Sequence, residues 1–120
     1  MLSEPLSIVI GSDTFSLPRV KSGDLSSTYQ SNDLNVILEI SHTMSGKGTN
    51  QRVRTMVKLT HRKVVPDPLT AANDYDQVVY HSVIDRPVAG FTVGDVQNQV
   101  YAQQAFLSST NVAKLFGLES

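Results

Sequence analysis

The sequence predicts an α+β fold in which antiparallel strands come first and two C-terminal helices pack on one face of the sheet. Three observations predict it. Apolar and polar residues alternate with a period of two through most of the chain up to Val88. Turn-forming clusters punctuate that alternation at Gly11-Ser12-Asp13, Lys21-Ser22-Gly23-Asp24 and Ser45 to Asn50. Past Gly90 the apolar spacing lengthens to that of a helix.

Taken in order, Ser7–Ile10 is apolar and β-branched, and Thr14–Val20 alternates after the first turn, which together read as an N-terminal β-hairpin. Ser26–Gln30 is a short polar strand. From Leu34 to Thr43, residues Leu34, Val36, Leu38 and Ile40 fall on one face, and Asn35, Ile37, Glu39, Ser41 and Thr43 on the other. The glycine-rich stretch from Ser45 to Asn50 reverses the chain into a second long strand from Gln51 to about Val65, with Val53, Val57 and Leu59 on its apolar side. Pro66-Asp67-Pro68 ends that strand, because proline cannot donate to a ladder. Leu69–Tyr75 reads as an exposed loop and Asp76–Val88 as the last strand. Thr92 and Asp95 have the spacing of a capping box at a helix start. Val93, Val96, Val100 and Leu107 continue at helical spacing. Ser108-Ser109-Thr110 offers a new cap, and Gly117 a stop, for a short second helix.

A chain of 120 residues reads as a single domain spanning 1–120. With 40% hydrophobic and 18% charged residues it has a globular composition, which excludes wholesale disorder. The absence of cysteine excludes disulfides, thiolate metal sites and a thiol nucleophile. No apolar run approaches the roughly 20 residues that cross a bilayer. The first residues lack the features of a signal peptide, so a soluble protein with no membrane partner is expected.

A formal net charge of −1 conceals an uneven distribution. No acidic residue lies between Glu39 and Asp67, and that interval holds six of the ten Lys and Arg residues: Lys47, Arg52, Arg54, Lys58, Arg62 and Lys63. In a strand, Arg52, Arg54, Met56, Lys58, Thr60 and Arg62 share one face. Alternate residues there are about 6.5–7 Å apart, close to the phosphate spacing of an extended nucleic-acid strand. Asn35, Ser41 and Thr43 on the facing strand add small polar groups. Tyr80 and Ser82 on the last strand are expected on the same face, with Tyr80 available to stack on an unpaired base. The alternative is an ordinary solvated sheet face, which usually mixes both signs of charge. From Val96 to Ala113 no residue is charged, which points to a helix covered on two sides, as at a subunit interface.

Other motifs are weaker. Gly46-Lys47-Gly48 is too short for a phosphate-cradling loop. His42, His61 and His81 have no ligand spacing, and two of them fall on the apolar register of their strands. Asp67, Asn73, Asp74 and Asp76 surround a loop that could hold Ca²⁺, but a solvated loop accounts for them. No catalytic residue, metal site or cofactor is assigned, and the chain gives no sign of an enzyme.

The order of these elements resembles the coat proteins of the single-stranded RNA bacteriophages. SIVIGSDTFSL is similar to the family's opening hairpin, and LNVILEISHTMSGKGTNQRVRTMVKL to its two long RNA-facing strands. YHSVIDRPV with the capped helix is similar to its last strand and long helix, and NVAKLFGLES to its final helix and tail. The resemblance implies a homodimer with one continuous sheet, each subunit's helices lying over the partner. It further implies an icosahedral shell with T=3 geometry, and a virion location after synthesis in the bacterial host cytoplasm. The loop from Pro66 to Tyr75 would gather around the shell's symmetry axes. Viral single-stranded RNA is the expected partner, with translational repression through an RNA hairpin an implied second role. The expected RNA-binding residues are Ser41, Thr43, Arg52, Arg54, Lys58, Thr60, Arg62, Tyr80 and Ser82. Met56 and Ile84 are expected as apolar members of that face. A cellular dimeric single-stranded nucleic-acid-binding module that forms no shell is the alternative, and a small enzyme on an α+β scaffold a more distant one.

Overall fold

A computed structural model describes residues 5–66, 69 and 73–120. The strands are β1 (Leu6–Ile10), β2 (Asp13–Leu17), β3 (Arg19–Ser22), β4 (Ser26–Gln30), β5 (Val36–Ser45), β6 (Arg52–Pro66) and β7 (Asn73–Pro87). Two helices follow, α1 (Val93–Phe106) and α2 (Ser109–Phe116). The chain forms two compact units, one up to Arg86 and one from Pro87 onward.

In the first unit, β1 and β2 form an antiparallel hairpin, and the other five strands form a sheet in the order β3-β4-β5-β6-β7. The expected strand from Thr14 to Val20 is broken at Pro18. Its second part leaves the hairpin and pairs with β4 as β3, so Lys21 and Ser22 belong to a strand rather than a turn. Proline has no amide hydrogen to continue a ladder, and its carbonyl instead accepts from the Gln30 amide at 3.1 Å.

The core lies between the hairpin and one face of the sheet. Leu17 and Val36 are fully buried, with Tyr29 and Leu38 beside them, and Leu6, Ile8, Ile10, Phe15, Ile40, Val57 and Leu59 pack around this cluster. The alternation read from the sequence places these residues. Leu38 lies opposite both Tyr29 and Leu59, so three strands present one apolar row to the hairpin. Val53 is buried further along β6. His61 sits on this face with its ring 6.1 Å from that of Phe15, as the apolar register of β6 predicts. His42, on the same face, is exposed, and its Nδ1 is 3.0 Å from Thr55 Oγ1.

Leu34 departs from its expected place in the apolar row. It lies before β5 at φ +62° and is half exposed. Local hydrogen bonds set this turn. Ser31 Oγ donates to Asp33 Oδ1 at 2.6 Å, Asp33 Oδ1 accepts from the Asn35 amide at 3.1 Å, and Ser31 Oγ accepts from the Val36 amide at 3.1 Å. Such side-chain bonds compete with strand pairing and favour a turn. They also hold the Asp33 carboxyl below its ordinary value, the Ser31 hydroxyl contributing most and the Asn35 amide next.

The expected loop from Pro66 to Tyr75 falls partly outside the described residues, as does Asp67 of the acidic cluster. Within them, β7 begins at Asn73, three residues before the expected Asp76. The β5–β6 reversal is a single 3-10 turn, Gly48–Asn50. Gly46 there has φ +84°, and a Cβ on it would come within 2.5 Å of the Asn50 carbonyl oxygen, so this position requires glycine.

In the second unit, the capping box of α1 is formed. The Asp95 amide donates to Thr92 Oγ1 at 3.2 Å and the Thr92 amide to Asp95 Oδ2 at 3.1 Å. Ser108 caps α2 by accepting from the Asn111 amide, and Asn111 Nδ2 donates to the Phe106 carbonyl at 2.7 Å. Gly117 closes α2, with Leu118 rather than the glycine taking the left-handed conformation at φ +67°. No residue of either helix is buried.

Candidate nucleic-acid interface

The register of the sheet assembles the face opposite the core. Directly opposed residues of antiparallel strands project to the same side. Arg52 lies opposite Ser45, Arg54 opposite Thr43, Met56 opposite Ser41, Lys58 opposite Glu39 and Thr60 opposite Ile37. One strand further, Ser26 lies beside Ser41 and Thr28 beside Glu39, and Lys21 lies opposite Thr28. One row thus runs Lys21, Thr28, Glu39, Lys58 across four strands. Arg62 extends the face past the paired region, its amide donating to the Asn35 carbonyl at 2.7 Å.

β7 joins this face with a phase opposite to the one expected. Arg52 Nε donates to Asp85 Oδ1 at 3.0 Å. At the other end of β6, the Arg62 guanidinium carbon lies 4.3 Å from the centre of the Tyr75 ring. These two contacts run β7 antiparallel to β6 and put its odd-numbered residues on the basic face. Tyr80, Ser82 and Ile84 therefore fall on the opposite face, and His81 takes the place expected for Tyr80. The sequence offers no phase for β7, because Val78, Tyr80, Ser82 and Ile84 are as mixed in character as Val79, His81, Val83 and Asp85.

Of the other expected residues, the structure brings Ser41, Thr43, Arg52, Arg54, Lys58, Thr60 and Arg62 to one face. Thr60 is only 6% exposed and so contributes no open contact surface, which corrects its expected role. Lys21, Ser26 and Thr28 join the face unanticipated, Lys21 because its segment reads as a turn. Tyr75 and Asp85 join it through the phase of β7.

Among the described residues, the face carries Lys21, Arg52, Arg54, Lys58 and Arg62 against Glu39 and Asp85. The Lys58 ammonium lies 3.5 Å from Glu39 Oε2, with both side chains partly open to water. Water screens such pairs, so each contributes well under about 1 kcal/mol. They leave the surface cationic overall, with hydroxyl groups between the charges. At the Arg62 end, two buried polar atoms, Arg62 Nε and Asn35 Oδ1, have no hydrogen-bond partner among the described residues. Each such atom costs on the order of 1–3 kcal/mol.

Among the described residues, a cleft of about 420 Å³ is lined by Arg19, Tyr29, Ile40 and His42, and another of about 200 Å³ by His61, Lys63, Asp76 and Val78. Among the described residues, no three His, Asp or Glu side chains cluster in a metal-binding arrangement. No helix among the described residues is long and apolar enough to cross a membrane.

No protein-family model and no curated protein sequence matches the chain. Solved structures do match it. The virus-like particle of bacteriophage AVE019 superposes with a TM-score of 0.72 at 10% identity, over 92% of this chain and 91% of that one. The virus-like particle of Beihai levi-like virus 21 gives a TM-score of 0.72 at 10% identity, over 98% and 95% of the two chains. The bacteriophage EMS014 coat protein gives a TM-score of 0.55 at 18% identity, over 79% and 64%. The fold is that of the levi-like phage coat proteins.

This coat-protein fold accounts for the division of labour between the two faces of the sheet. The hairpin seals the core on one side, while the long strands β5 and β6 present their charged side to whatever the sheet meets. At such low identity the likeness lies in element order and pairing, which is where the period of two and the capping box left their marks.

Proposed function

We propose that the chain is a structural capsid protein that dimerises, assembles into an icosahedral shell and binds the RNA genome on its basic sheet face. The observation that carries this reading is the two-sided sheet on a coat-protein fold: one face closed by the hairpin, the other cationic. The reading assigns no enzymatic step to the chain.

Dimerisation is supported by the two edges of the sheet. β3 is a four-residue edge with a register shift between Arg19 and Lys21, and bulges of this kind discourage further pairing. β7 is a 15-residue edge with no flanking strand on its outer side among the described residues. A bare edge of that length is a template for a second copy of itself. The helices support the same reading. α1 and α2 have 14 and 8 residues, and neither buries a residue. Helices this short are marginal in water without a surface to cover. Phe91, Val93, Tyr101, Phe106, Leu115 and Phe116 remain exposed for that purpose. In the proposed dimer, β7 strands pair into one continuous sheet and the helices cover the partner. T=3 geometry and translational repression through an RNA hairpin are the finer parts of the proposal.

RNA binding is supported by Arg52, Arg54, Lys58 and Arg62 in one row, with Ser41 and Thr43 beside them. If roughly four phosphates are neutralised per subunit, log affinity should fall with log salt at a slope near −3, from about −0.7 per contact on single strands.

Expression of the protein alone in bacteria, followed by size-exclusion chromatography, electron microscopy and absorbance at 260 and 280 nm, tests the proposal. Megadalton particles carrying nucleic acid are expected. A dimer that stays a dimer but binds RNA would move the chain to the cellular nucleic-acid-binding module. Monomers without RNA would overturn both readings.

A further inference from the structure

Of the three histidines, His81 is the one that reaches the basic face. His42 and His61 lie on the opposite face, where His42 meets Thr55 and His61 meets Phe15. The two contacts that phase β7, Arg52 with Asp85 and Arg62 with Tyr75, agree on one register, which sets His81 opposite Met56. Arg54 and Lys58 then flank it diagonally on β6, with Cβ atoms about 7 Å away. At that separation an arginine and an imidazole can grip one phosphate between them. Val79 and Val83 are its uncharged neighbours on its own strand. The carboxylates of the face are engaged elsewhere, Glu39 beside Lys58 and Asp85 with Arg52. Arg54 and His81 are both exposed, and among the described residues neither side chain has a hydrogen bond or an ion pair. In the proposed dimer, the titratable groups that a second β7 brings to this face are the partner's Tyr75, the partner's His81 and the partner's Asp85.

We propose that His81 and Arg54 form a phosphate clamp that closes when the imidazole is protonated, so that the grip on RNA tightens as the pH falls. The proposal rests on the reading of this face as RNA-binding and names the regulation of that site. Imidazole is the side chain whose charge changes between about pH 5 and 8. Neutral, it carries one N–H donor and no charge; protonated, it carries two donors and a positive charge. A phosphate oxygen between His81 and Arg54 therefore meets two cations at the acid end of that range and one at the alkaline end. Linkage is reciprocal: the factor by which the imidazolium raises RNA affinity is the factor by which bound RNA favours the imidazolium. Arginine, lysine, tyrosine and carboxylate side chains ordinarily keep one charge state across this range, so the dependence falls to the histidine.

The test is equilibrium binding of the intact protein to oligouridylate, whose bases carry no charge in this range, at about pH 5.5 and about pH 8, each across a salt series. The parent's affinity is expected to be about five- to tenfold higher at the lower pH. Its salt slope there should be steeper by about 0.7, one further phosphate contact. His81→Gln should bind as the parent does at the higher pH and gain neither affinity nor slope at the lower. His81→Arg should bind at both as the parent does at the lower, and it decides the matter if His81→Gln fails to fold. His42→Gln should keep the parent's full pH dependence. RNA binding that is the same at both pH values, or a rise that persists in His81→Gln, would overturn the clamp while leaving the basic face intact. A parent protein that binds the oligonucleotide at neither pH would instead overturn the reading of the face itself.

Discussion

Leu34 and Asp33 lie side by side in one turn and have opposite consequences for stability. Leu34 holds a left-handed backbone at φ +62° with half its surface in water. That conformation costs an L-residue roughly 1–2 kcal/mol, while glycine adopts it freely but loses more entropy on folding. Leu34→Gly should therefore raise stability by about 0.5–1 kcal/mol, measured as a shift in the urea midpoint. Asp33 acts through its lowered pKa. Its contribution is complete above the unfolded-chain value of about 3.9 and is lost as the pH falls through the lower folded value. Stability should fall below about pH 4, and Asp33→Asn should flatten that fall in an acid titration followed by circular dichroism. Leu17, fully buried between hairpin and sheet, belongs to a different class. Leu17→Ala should cost about 2–5 kcal/mol.

At the scale of the element, strand phase separates what the sequence reveals from what it conceals. β6 announces its phase because all its arginines and Lys58 are even-numbered while Val53, Val57 and Leu59 are odd. Its antiparallel pairing with β5 followed from that, and the structure supplies the register. β7 has no such bias, so only its contacts through Asp85 and Tyr75 show that Tyr80 and Ser82 face away from the charges. β3 was hidden for another reason: a single proline divides one alternating run between two sheets, and alternation carries no record of the partner. The start of α1 was legible to the residue, because a capping box is satisfied by groups three positions apart, whereas α2 offered three candidate caps of which Ser108 is used. Thr92→Ala should cost about 1 kcal/mol, read from thermal unfolding. Within the basic row, Glu39 holds Lys58 at 3.5 Å. Glu39→Gln should tighten RNA binding and steepen the salt slope by up to about 0.7, and an unchanged slope would show that Lys58 meets no phosphate.

For the whole molecule, the proposed dimer makes folding and association one equilibrium. The described residues bury only a small apolar cluster, and the helices bury none of their own residues. A chain completed by its partner has a stability that depends on protein concentration. The urea midpoint of disassembled protein should rise as concentration increases over two or three decades. A midpoint independent of concentration would mean that the monomer is stable alone, against the second-copy reading.

The order of strands in the sheet, β3-β4-β5-β6-β7, is also their order in the chain. Each strand can settle against its predecessor as soon as it leaves the ribosome, without waiting for a distant segment, and topologies so rich in local pairing fold fast. β7, the strand that pairs outward in the proposed dimer, is the last to be made. Nascent chains crowded on one message therefore expose the adhesive edge only after the sheet behind it is complete. In the proposed dimer, pairing through β7 is therefore the last step in building the continuous sheet.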